Sequence, residues 1–160
     1  MTLLTRIREH FAYLKNPSVE ELQNRLQALQ ISKEEIEPYI MEPDQLPYGR
    51  NVIYQTPELE VVIINLPGLI SSLPHDHGDS LACEVIVEGE LTNHIYELKQ
   101  EGTVRLLCTD VYTEQRICSI ERQQIHAIQN SNENRTIILN VYAPPVCKQR
   151  TYEVQQPEES

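Results

Sequence analysis

HDHGDSLACEVIVEGELTNHIYEL, residues 75–98, decides the fold of this 160-residue chain. Two strand-like runs, EVIV (84–87) and LTNHIYEL (91–98), flank Glu88-Gly89-Glu90. Glycine accepts the positive φ that a tight connection needs, so the stretch reads as an antiparallel hairpin. Runs of the same texture lie on either side: NVIY (51–54), LEVVIIN (59–65), TVRLL (103–107), RICSI (116–120) and TIILNVY (136–142), separated by Gly, Pro, Asn and Asp. That succession of short strands predicts an antiparallel sandwich or small barrel, and Pro144-Pro145 stops the last strand.

The residues before Pro43 have a different period. Leu4, Ile7, Phe11 and Leu14 recur at helical steps, and Asn16-Pro17 ends that segment. Ser18 with Glu21, and Ser32 with Glu35, are capping-box starts for a helix with Val19, Leu22, Leu26 and Leu29 on one face and for a short one carrying Ile36 and Ile40. The expectation is one mostly β domain over residues 1–160: a helical lead (1–43) packed on a β-barrel (44–155), with a frayed tail over 156–160.

Composition narrows the function. Thirteen basic residues against twenty-four acidic give a net charge of −11, which disfavours nucleic acid and anionic membrane surfaces as partners. No apolar run approaches the roughly 20 residues of a membrane span, and the charged opening MTLLTRIREHFAYLKNP is not a signal peptide. A cytoplasmic protein is expected, with oligomeric state open and a monomer favoured. The four cysteines, Cys83, Cys108, Cys118 and Cys147, form no C-x-x-C pair and read as small buried hydrophobes.

Chemistry concentrates at His75-Asp76-His77. On a strand, residues i and i+2 point the same way, so both imidazoles would enter a barrel together. Two neutral imidazoles converging are a natural start for a transition-metal site. His126 follows apolar Ile125 in IHAIQN (125–130), just before the last long run. The H-x-H with this third histidine resembles the two motifs of the cupin superfamily. In that pattern a glutamate ligand stands with six residues between it and Gly89, at position 82, where this chain has Ala82; Gly68 leads His75 by one residue more than the usual spacer. Three histidines without a carboxylate leave an iron(II) centre its full charge and open positions, which suits a substrate bringing an anionic ligand such as a thiolate. Zinc competes on ligand identity.

With KNPS (15–18), PYIMEPDQLPYGRNVIY (38–54), HDHGDS (75–80), VEGEL (87–91), IHAIQN and VYAPP (141–145) in order, the chain resembles the cysteine dioxygenase type I family, iron-dependent thiol dioxygenases of cupin fold. The resemblance implies a double-stranded β-helix with Fe(II) held by His75, His77 and His126. It implies Arg50 on the substrate carboxylate, Tyr48 beside it, and Tyr142 as the active-site tyrosine. The substrates implied are L-cysteine and O2, and the product cysteine sulfinate. Another small thiol such as 3-mercaptopropionate, or a metal-binding cupin without catalysis, is the alternative.

The chain departs from the family in three respects. Many animal members have a cysteine, linked to the tyrosine, where Ala82 stands; Cys83 next to it alternates to the other face. A Ser-His-Tyr relay on the last strand is replaced by Ile138, Asn140 and Tyr142. Glu84 either shares the interior with Ala82, needing Arg50 or a metal as partner, or sits on a bulge facing solvent.

Overall fold

The computed structural model describes residues 1–156; residues 157–160, which hold most of the expected frayed tail, lie outside the described residues. Three helices lead the chain: α1 (Leu3–Phe11), α2 (Val19–Leu29) and α3 (Lys33–Ile36), followed by a 3-10 turn at Glu37–Tyr39. Thr2 caps α1 by accepting from Thr5 N–H, and both expected capping boxes close, Ser18 with Glu21 and Ser32 with Glu35. Each satisfies two amide groups that a helix start leaves unpaired. Leu3, Ile7 and Phe11 form the buried face of α1. Leu4, expected there, is only half-buried, and α1 ends at Phe11, well before Asn16-Pro17.

Nine strands follow: β1 (Gly49–Gln55), β2 (Glu60–Leu66), β3 (Leu81–Glu88), β4 (Leu91–Leu98), β5 (Thr103–Tyr112), β6 (Ile117–Ile120), β7 (Ile125–Gln129), β8 (Thr136–Ala143) and β9 (Glu153–Val154). One sheet runs β1-β2-β8-β3-β6 and the other β7-β4-β5-β9. The hairpin from the opening stretch is β3 and β4, turning at Gly89 with φ +85°. A side chain there would also meet the Arg135 carbonyl at 2.8 Å.

Strands β2 and β8 are buried along their whole length because alternation divides them between two cores. Val61, Ile63, Leu81, Cys83, Val85, Ile137, Leu139 and Val141 pack against Ile7, Phe11, Leu22, Leu26 and Leu29 of the helices. Val62, Ile64, Leu66, Ala82, Ile86, Cys118, Ile120, Ile138 and Tyr142 face the barrel interior. The helical lead is thus a lid over one outer sheet face, removing that apolar face from water. Cys83 and Cys118 are buried as expected, but Cys108 and Cys147 are exposed. Cys108 lies on β5, most of whose residues are exposed, and Cys147 follows the prolines that end β8. No helix among the described residues is long and apolar enough to cross a membrane.

Candidate active site

His75-Asp76-His77 does not sit on a regular strand. His75 makes an isolated antiparallel bridge with His126 of β7, its N–H donating to the His126 carbonyl at 2.8 Å and its carbonyl accepting at 2.9 Å. Asp76 then turns the chain: Oδ1 accepts from Gly78 N–H at 2.9 Å and Oδ2 from the Tyr152 hydroxyl at 2.6 Å. Gly78, at φ +59°, carries the turn. The two imidazoles therefore converge through a pinned turn rather than through strand alternation.

The candidate ligand atoms of His75, His77 and His126 all lie within 4.8 Å of one another. His75 Nδ1 lies 2.8 Å from the Leu73 carbonyl and His126 Nδ1 lies 2.8 Å from Asn93 Oδ1, so each Nδ1–H has an acceptor and each Nε2 is left as a lone pair. The Nε2 atoms of His126 and His77 stand 3.4 Å apart, and His77 Nδ1 is buried without a hydrogen-bond partner. Burial is the chief cause that holds all three imidazoles below their ordinary pKa, and the mutual repulsion of their charged forms adds to it for His77 and His126; His77 falls to about 3. Three neutral imidazoles with lone pairs facing one point suit a divalent cation. The residues present fit a metal, and no acidic residue joins this cluster among the described residues.

The triad opens on a small cavity of about 20 Å³, lined also by Tyr48, Arg50, Glu84, Asn140 and Tyr142. Arg50 pairs in register with inward-facing Ile64, which places its side chain on the cavity side, where it lines the rim and stays about 35% exposed. Its guanidinium lies 3.3 Å from the buried carboxylate of Glu60, which also accepts from Val146 N–H at 3.1 Å. The Tyr142 ring packs 5.1 Å from that of His77, and Tyr142 OH accepts from Asn140 Nδ2 at 3.2 Å. Burial first, and the Glu84 carboxyl second, push its hydroxyl well above the usual tyrosine range. Tyr48 is likewise pushed up by burial.

A family model, cysteine dioxygenase type I, matches residues 1–155. The chain belongs to this family. Solved structures share the fold at low identity. A double-stranded β-helix protein from Klebsiella pneumoniae matches with TM-score 0.61 and 18% identity, over 78% of this chain and 97% of its own. A RmlC-like cupin from Shewanella frigidimarina gives TM-score 0.53 and 16% identity, over 68% and 86%. The cupin domain of Schizosaccharomyces pombe Cnp3 gives 0.55 and 11%, over 68% and 71%.

Against the family pattern, Ala82 pairs directly with Tyr142 across β3 and β8, and Cys83 faces the helices. No sulfur therefore reaches the tyrosine from β3. Glu84 is interior, 2% exposed, and its Oε2 has no partner; burial raises its pKa to about 8. Arg50 is engaged by Glu60 instead. Sequence reasoning missed Asn93 and Glu60. Both sit on the inward phase of their strands, Asn93 with Leu91 and Ile95, Glu60 with Val62 and Ile64. A polar residue in phase with interior hydrophobes was the available signal.

Proposed function

We propose that the protein is a non-haem Fe(II) thiol dioxygenase that converts L-cysteine and O2 to cysteine sulfinate. The observation that carries this reading is one cavity uniting three neutral imidazoles, no acidic ligand, a guanidinium and a buried tyrosine hydroxyl. His75, His77 and His126 would hold the iron, which when bound supplies the Lewis acidity that deprotonates a thiol and the redox chemistry that delivers oxygen to sulfur. Arg50 offers a planar fork to the substrate carboxylate, with Tyr48 alongside. Tyr142 provides a hydroxyl that stays protonated and can donate to a polar group of the bound substrate or oxygen. The chain's main contribution is orientation.

Arg50's contact with Glu60 favours a second reading, a dioxygenase for another small thiol, because an engaged guanidinium pulls less on a substrate carboxylate. Oxygen uptake by iron-loaded protein with L-cysteine, 3-mercaptopropionate and cysteamine separates these. Cysteine should be the best substrate, one O2 should disappear per thiol, and Arg50→Ala should lower kcat/KM for cysteine roughly 30- to 1,000-fold, about 2–4 kcal/mol. Cysteamine, lacking a carboxylate, should not register that change. An iron-bound protein that takes up no oxygen with any of the three is a metal-binding cupin and not a dioxygenase.

A further inference from the structure

The interior of the barrel holds two buried oxygens without partners on neighbouring strands. Glu84 and Asn140 pair across β3 and β8, and Glu84 Oε2 and Asn140 Oδ1 are both enclosed and unbonded. Directly paired residues bring their Cβ atoms to about 4.5–5.5 Å, within reach of either side chain. We propose that Glu84, Asn140 and Tyr142 form one hydrogen-bonded relay, in which the Glu84 carboxyl donates to Asn140 Oδ1, Asn140 Nδ2 donates to Tyr142 OH, and the Tyr142 proton is aimed into the cavity. The relay rests on reading that cavity as the thiol-oxidising site. Glu84 is then a positioning residue, acting on the substrate only through Tyr142.

The direction follows from the amide. Asn140 Nδ2 is committed to the tyrosine oxygen at 3.2 Å, so the other end of the same amide can only accept. An amide also offers no acceptor on its Nδ2 side, so Tyr142 cannot return its proton to Asn140 and must spend it elsewhere. Its ring already stands beside His77, at the mouth of the triad.

Glu84 is the residue paired with Asn140 across β3 and β8, so its carboxyl is the donor placed to reach Asn140 Oδ1. Its partner on the other side, Cys118 of β6, has a thiol raised by burial, and Tyr112 of β5, close to Cys118 and Glu84, is raised likewise. Asp110 of β5 and Cys83 of β3 lie in the same electrostatic neighbourhood and bring no positive charge. Arg50 of β1 is on the far side of Tyr142, held by Glu60, which pairs with Tyr142 across β2 and β8. With no cation at hand, burial keeps the Glu84 carboxyl in its neutral, donating form. Glu84 and Asn140, two departures from the family pattern on neighbouring strands, are thus each other's partner.

Glu84→Gln keeps an N–H donor at this place, whereas Glu84→Leu removes it. In metal-free protein at about pH 6.5, where a normal carboxyl is ionised, an infrared difference spectrum should show a protonated carboxyl C=O band in the wild type. That band should vanish in Glu84→Gln and shift in Asn140→Ala, where its acceptor is gone. The 13C resonance of Tyr142 Cζ in tyrosine-labelled protein should move in Glu84→Leu and stay in place in Glu84→Gln. In turnover, Glu84→Leu should lower kcat roughly tenfold or more with KM little changed, and Glu84→Gln should restore most of the loss. A carboxyl band unaffected by Asn140→Ala, or no band lost in Glu84→Gln, overturns the relay even if Glu84→Leu fails to fold. A Tyr142 resonance that ignores Glu84→Leu overturns it too. The spectroscopic results need no turnover, so a protein inactive toward every thiol refutes the proposed function while the relay is decided separately.

Discussion

Asn93 offers the sharpest test of how the chain builds its metal centre. Its Oδ1 lies 2.8 Å from His126 Nδ1, and both residues are buried, 2% and 1% exposed. The bond fixes the tautomer of His126, placing the proton on Nδ1 and the lone pair on Nε2, and it locks the ring plane. Asn93→Ala removes the acceptor from a site that water does not easily enter. Loss of such an outer partner weakens metal binding by roughly 10- to 100-fold, or about 1.4–2.7 kcal/mol. The orphaned ring N–H also destabilises the metal-free protein by about 1–3 kcal/mol. Metal affinity measured by chelator competition and unfolding by urea read the two effects independently. Asn93→Asp, which keeps an acceptor oxygen, should hold metal affinity near or above the wild-type value. His94→Ala is the control: its ring bonds Thr109 and Gln129 rather than the triad, and affinity should not change. An Asn93→Ala protein that folds and binds metal within about twofold of wild type would refute the reasoning, since 10-fold is the least this linkage predicts.

Opposite pH slopes should appear in the metal-free protein. The triad's folded pKa values lie below the ordinary 6.5, His77 at about 3, so the unfolded state binds more protons there and stability should fall as pH drops below about 6.5. Glu84 is raised from 4.5 to about 8, so the folded state binds the extra proton and stability should fall as pH rises through that window; Glu84→Gln should abolish this second slope in denaturation curves. A thiol reagent should titrate Cys108 and Cys147 quickly in the native protein and reach Cys83 and Cys118 only in denaturant, because burial encloses both and pushes the Cys83 thiol up to about 11. Gly89→Ala should destabilise by about 1–3 kcal/mol, from a left-handed φ and a clash with the Arg135 carbonyl, read as a lowered Tm.

Local signals carried most of the architecture. The capping pairs Ser18–Glu21 and Ser32–Glu35, the turn at Gly89 and the β-branched runs each depend on neighbours a few residues away, so the sequence alone determined helices first and an antiparallel barrel after. The three histidines and Arg50, Tyr48 and Tyr142 were likewise legible, as residue types in a familiar order. What alternation could not supply was the partner of each inward polar group. Period 2 sends Glu84 inside, but only the β3–β8 register sets it against Asn140, and only the β2–β8 register sets Glu60 beside Tyr142, within reach of Arg50. His75 and His77 converge because the His75–His126 bridge and the Asp76–Tyr152 bond pin a turn, contacts spanning about fifty and seventy-six residues of sequence. A side chain's direction is a local property of the backbone, whereas its partner is a long-range one, and the chemistry of a buried carboxyl, guanidinium or imidazole is set by the partner.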